Sequence, residues 1–234
     1  MRSTLAARQR SVPLGLTILI ALVAGMLAFT VERGSAHAEG TSAHDHDVAA
    51  SAVTTPAQVT FHDQMRKLWE DHVTWTRLAI VTFADGSAGF DATATRLLQN
   101  QTDIGNAIAP FYGQAAGDEL STLLHGHINI AVQILQDAKA GDTAAFNTDS
   151  ARWYDNANQI ADFLSALNPR FWPDDVMRAA MKEHLDQTLA EAQDELNGNY
   201  TASVNDYEAI HLHILAMADL LSSGIVNQFP GRFR

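Results

Sequence analysis

The 234-residue chain contains no cysteine. That absence removes thiolate nucleophiles, cysteine-ligated zinc, iron-sulfur clusters and disulfide staples together, so any metal must be held by His, Asp, Glu or amide oxygen. Strand signals are missing too: no run of alternating β-branched residues is bounded by turn dipeptides, while apolar residues recur at three and four throughout. There is no Gly-rich phosphate loop, no His-Glu-x-x-His and no Gly-x-Ser-x-Gly. Basic residues are few. Without residues 1–38, which hold Arg2, Arg8, Arg10 and Arg33 against the single acid Glu32, 11 basic residues face 26 acidic ones, a net charge of −15. A surface so acidic argues against nucleic acid as a partner.

What is present begins with an export pattern. Arg2, Arg8 and Arg10 precede a continuous apolar run from Val12 to Val31, and Ala36-His37-Ala38 supplies small residues where a signal peptidase reads them. Cleavage after Ala38 is the preferred reading. The run is 20 residues, long enough to serve instead as an uncleaved anchor, and the domain then sits outside the cytoplasmic membrane all the same. The N-terminal segment is the one expected membrane contact. Residues 39–54 are Ala, Ser, Thr, His and Asp without periodicity, a flexible tether. Within it, His44-Asp45-His46-Asp47 could hold a copper or zinc ion loosely, although such a mobile tetrad reads more simply as solvated linker, and neither histidine is close enough to a new N-terminus at Glu39 to chelate with its amine.

The apolar fraction, 47%, is ample for a core, and the folded domain is expected over residues 55–230. Thr55-Pro56-Ala57-Gln58 has the capping-box spacing with proline at the first helical position, which starts a helix running to about Ala84. Further helices are predicted over about Asp91–Ala109, Ala116–Ala138, Thr143–Leu167, Pro173–Leu196 and Thr201–Gln228, with Pro56, Pro110, Pro169, Pro173 and Pro230 all at boundaries. The fold class is all-α.

Aligned with itself, the chain repeats. His72, His127 and His184 are spaced by 55 and 57; Asn100, Asn156 and His213 by 56 and 57; and Gly86, Gly141 and Gly198, in the intervening turns, by 55 and 57. Ile104-Gly105-Asn106, Ile160-Ala161-Asp162 and Met217-Ala218-Asp219 then repeat an apolar, small, Asn/Asp triplet in the same register. The expectation is a six-helix bundle of three tandem antiparallel helical hairpins, over about 55–110, 116–167 and 173–228.

Each histidine lies on the apolar face of its helix, flanked at four residues by Leu68 and Thr76, Leu123 and Ala131, or Ala180 and Thr188, so all three are expected to point inward. His72 is 14 residues before Gly86 and Asn100 is 14 after it, which at the helical rise puts both about 21 Å from the turn. Three such hairpins stacked alike would set His72, His127, His184, Asn100, Asn156 and His213 in one polar layer across an apolar core.

That layer has three readings. It can be a hydrogen-bonded register device with no ligand. It can be a zinc, copper or iron site in which His72, His127 and His184 ligate and Asn100, Asn156 and His213 fix their tautomers. It can hold a general base, a histidine beside Asp162 or Asp219. Against a divalent ion stands charge: the nearest carboxylate on that face is Glu191, seven residues from His184. Against a di-iron carboxylate centre stands the single Glu-x-x-His, Glu208 to His211. Trp69, Trp75, Trp153 and Trp172 read as core anchors, and Asp118, Glu119, Asp174 and Asp175 as acids complementing helix starts. An enzyme is the lesser expectation.

The strings Leu68-Trp69-Glu70-Asp71-His72 with Thr74-Trp75-Thr76-Arg77, then Leu97 through Asn106, and Gly224-Ile225-Val226-Asn227-Gln228-Phe229-Pro230 resemble an exported bacterial family of all-helical proteins without a settled activity. The likeness covers about residues 60–230 and implies a helical domain. Members of that family often carry automated glycosyltransferase-type labels. Sugar transfer from a nucleotide would need an α/β nucleotide-binding domain, and the one Asp-x-Asp here, Asp45 to Asp47, sits in the tether. The resemblance brings no catalytic residues with it.

Overall fold

The computed structural model describes residues 54–234. The expected signal segment, and the tether up to residue 53, lie outside them. Six helices follow one another: α1 (Pro56–Ala84), α2 (Phe90–Tyr112), α3 (Gln114–Ala140), α4 (Thr143–Leu167), α5 (Asp174–Leu196) and α6 (Tyr200–Gln228), with a 3-10 turn at Pro230–Arg232.

Local chemistry sets the ends. The Thr55 hydroxyl accepts from the Gln58 N–H (3.2 Å) while the Gln58 side chain accepts from the Thr55 N–H (2.9 Å), the expected capping box. The Thr55 hydroxyl also donates to the Phe233 carbonyl (2.6 Å), pinning the C-terminus to the start of α1. Gly86, Gly141 and Gly198 have φ of +65°, +71° and +77° in the turns after α1, α3 and α5, a conformation that favours glycine. Most ends fall within one or two residues of expectation, and two boundaries change the local chemistry. Pro110 lies inside α2, which continues to Tyr112 and is closed by the Gly113 N–H donating to the Ala109 carbonyl (2.9 Å); a proline so close to a helix end forfeits one backbone bond without breaking a long run. Because α3 starts at Gln114, Asp118 lies beyond its first turn and accepts from Gln114 (2.8 Å) instead of complementing the helix start.

Short links make each helix pack on its sequence neighbours as an antiparallel partner, and α6 returns to α1, so the bundle closes on itself as a ring. The closing seam is polar. Arg66 donates to both carboxylate oxygens of Asp219 (2.7 Å each), His62 meets Asp219 at 2.8 Å, and His211 meets Glu70 at 3.0 Å. Across the middle, α1, α3 and α5 also touch one another, so these three form the inner set. Ile80, Leu135 and Ala192 share one small buried cluster, and each lies eight residues past a histidine, which means the inner helices run in the same direction at matched heights.

Elsewhere two glycines lie where a neighbouring helix or side chain leaves no room for a Cβ. A Cβ on Gly105 of α2 would sit 2.3 Å from the Gly117 carbonyl of α3, and one on Gly224 of α6 would sit 2.0 Å from the Trp172 indole nitrogen. Trp69, Trp153 and Trp172 are buried core anchors, whereas Trp75 is half-buried beneath the Arg96 guanidinium.

Candidate functional site

The three histidines come from the inner helices and are buried as expected, His72 and His127 at 3% exposure and His184 at 4%. The His72 and His184 rings are 5.6 Å apart, and the His184 and His213 rings lie nearly parallel at 6.4 Å. His127 turns its ring against Trp153 at 5.0 Å.

One contact recurs in every hairpin. From the second helix, Asn100 donates to the Leu68 carbonyl (3.0 Å), Asn156 to the Leu123 carbonyl (3.2 Å), and His213 Nε2 to the Ala180 carbonyl (2.9 Å). Each carbonyl belongs to the residue four before the buried histidine, where the first helix faces its partner.

These bonds decide tautomers. The Asn156 amide nitrogen is committed to Leu123, so its oxygen, 2.8 Å from His127 Nδ1, must accept. His127 therefore carries its proton on Nδ1 and a lone pair on Nε2. The first hairpin departs from expectation. The partner of His72 is Gln101 rather than Asn100: the Gln101 amide nitrogen donates to the Leu97 carbonyl (2.8 Å) and lies 3.2 Å from His72 Nδ1. An N–H at that position makes His72 Nδ1 the acceptor and puts the proton on Nε2. The signal for Gln101 was in the chain, since His72 to Gln101, His127 to Asn156 and His184 to His213 are each 29 residues apart.

His184 stands apart, for its Nδ1 is buried with no hydrogen-bond partner. Burial pushes the His72 imidazole down to about 3, and that of His127 to about 4. His184 falls well below the ordinary range, from burial first and then from the neighbouring His72, His127 and His213. All three are neutral at neutral pH. His213 is less enclosed, and its Nδ1 lies 3.8 Å from the exposed Glu183 carboxylate.

The remaining sequence-derived candidates are placed elsewhere. Glu191 is buried, but in a second polar centre. Arg77 of α1 reaches Glu191 (3.0 Å) and Glu195 (3.1 Å) of α5, and it donates to the Ser203 hydroxyl of α6, which itself donates to Glu195 (2.7 Å). Burial pushes the Glu191 carboxyl up to about 7, outweighing the guanidinium beside it. Asp162 pairs with Arg178 (2.6 Å) and Asp219 with Arg66 and His62, so neither meets a layer histidine. His211 is held at the surface by Glu70, and Glu208 is exposed. His44 and His46 lie outside the described residues. Among the described residues, no group of three or more His, Asp or Glu side chains is gathered as a metal-holding cluster.

Fold and site together define an all-α six-helix bundle that buries three neutral histidines on its inner helices. Compared with family models, curated proteins and solved structures, the chain matches none.

Proposed function

We propose that this is an exported protein whose helical domain consists of three copies of one hairpin and binds a transition-metal ion in the histidine layer where the copies meet. The observation that carries the reading is the buried, unpartnered Nδ1 of His184, 5.6 Å by ring centre from His72 and in the electrostatic reach of His127. A buried nitrogen left unpaired costs on the order of 1–3 kcal/mol, and an ion restores the missing interaction. The layer is already deprotonated, as ligation requires, and Asn156 holds His127 in the tautomer that leaves Nε2 free.

Among zinc, copper and iron, singly charged copper is best suited. No carboxylate is hydrogen-bonded to the three inner histidines among the described residues, and burying one uncompensated charge costs less than burying two. Ligation through His72 Nε2 asks Gln101 to turn its oxygen toward the ring. The present Gln101 orientation favours the second reading, a hydrogen-bonded structural layer in a non-catalytic module of the cell envelope.

The triplication is supported by the recurring spacing of 29 residues and the recurring carbonyl contact. It is supported again near the turns, where Thr82 and Thr93 meet at 3.1 Å and where Asp137 faces Asp149 and Asp206 faces Asp194; these are equivalent positions in successive hairpins. Kinship with the helical family is inferred from the strings in α1, α2 and α6, which include His72, Asn100 and Gln101. Export is inferred from the Arg2-to-Ala38 pattern.

The test is elemental analysis of untagged protein from cells supplied with mixed transition metals, copper(I) kept reduced, beside a His72→Ala/His127→Ala/His184→Ala variant. Near-stoichiometric metal that disappears from a still-helical variant is the expected result. Metal-free wild-type protein would assign the layer to structure alone.

A further inference from the structure

Above the histidines, one turn toward Gly86, Gly141 and Gly198, a partly open pocket of about 50 Å³ lies between α1, α3 and α5, with Leu97 of α2 and Trp153 of α4 completing its wall. The turn-forming side of each histidine is capped by a small residue four positions on: Thr76, Ala131 and Thr188 all line the pocket, with Ala79 and Ala192 beyond them. A large aliphatic side chain at any one of these positions would fill the space, so three helices leave the axis open at one height. The Thr76 and Thr188 hydroxyls donate back to the His72 and His184 carbonyls (2.8 Å each). No polar atom faces the pocket, and Trp153, whose ring packs on His127, forms part of its wall.

The geometry points to a binding pocket for an uncharged apolar molecule of a few atoms. Water gains little there, because an ordered water needs two to four polar partners and none faces the space. Charged or hydrogen-bonding ligands are excluded for the same reason. Scaled from a cavity of roughly 150 Å³ that holds benzene, the space suits about two non-hydrogen atoms. The class is therefore neutral and diatomic or two-carbon, of the kind represented by dioxygen, carbon monoxide or ethylene. Such a ligand would rest against Trp153, whose ring in turn packs on His127. The inference stands apart from the metal reading and is tested on metal-free protein.

The probe is xenon, followed through the methyl resonances of the isotope-labelled protein. Saturable shifts concentrated at Ala79, Ala131, Ile134 and Ala192, and lost in an Ala131→Val/Ala192→Val variant with an otherwise unchanged spectrum, are expected. Dissolved dioxygen should then relax the same methyl groups preferentially. Xenon shifts that are absent or spread evenly over the protein would overturn the inference, as would magnetisation transfer from water to these methyl groups. The wild-type xenon experiment decides the matter even if the filled variant does not fold.

Discussion

Lowering the pH from 7 to 5 should destabilise the domain through its buried histidines, and the size of the loss follows from where each group titrates. His72 and His127 are depressed from 6.5 to about 3 and about 4. Below pH 6.5 the unfolded chain takes up protons that the folded one refuses, so stability present above pH 6.5 is lost progressively as pH falls toward the folded values. At about 1.4 kcal/mol per pH unit, each histidine removes about 2 kcal/mol between pH 7 and pH 5, or about 4 kcal/mol for the pair. His184, shifted in the same direction, adds to the loss. Glu191 opposes it. Its folded value, about 7 against an ordinary 4.5, means that its burial penalty is relieved as pH falls through that window, returning about 2 kcal/mol. The net loss is therefore about 2 kcal/mol, enlarged by His184, a substantial share of a typical domain's 5–15 kcal/mol. Urea denaturation at the two pH values measures it directly, and Glu191→Gln should steepen the pH dependence by about 2 kcal/mol over the same interval. A domain equally stable at both values, or more stable at pH 5, would refute the claim that the layer is neutral because it is buried.

Two glycine substitutions should behave in opposite ways. Gly105→Ala places a methyl group against the Gly117 backbone and should cost about 3 kcal/mol in chemical denaturation. Gly126→Ala, whose new Cβ would meet nothing nearer than Asn156 at 3.7 Å, should gain up to about 1 kcal/mol from helix propensity. Removing the cation from the second polar centre by Arg77→Met should cost roughly 3–5 kcal/mol at pH 7. The part of the cost that comes from Glu191 should disappear at pH 5, where Glu191 is protonated, and a loss independent of pH would place the contribution of Arg77 in its contacts with Glu195 and Ser203 instead.

Six helices, their turns and the inward aim of three histidines were legible in the chain because each is set locally. Thr55 caps whatever follows it, Gly86 and Gly141 supply a positive φ, and a 3.6-residue period assigns His72 to the same face as Leu68 and Thr76. What lay beyond local rules was decided by how helices meet. Neighbouring residues on a helix point about 100° apart, so whether Asn100 or Gln101 faces His72 depends on the rotation of α2 against α1, which no spacing within one hairpin reveals. The meeting of α1 with α5 across the middle brought Arg77 to Glu191 and Glu195 over more than a hundred residues of chain. The same meeting set His72 beside His184, while Trp153 of α4 took the face of His127. Periodicity told this chain which side of each helix to bury; only the packed ring determined what each buried group would touch, because contact depends on rotation and depth between helices, and those are shared properties of all six.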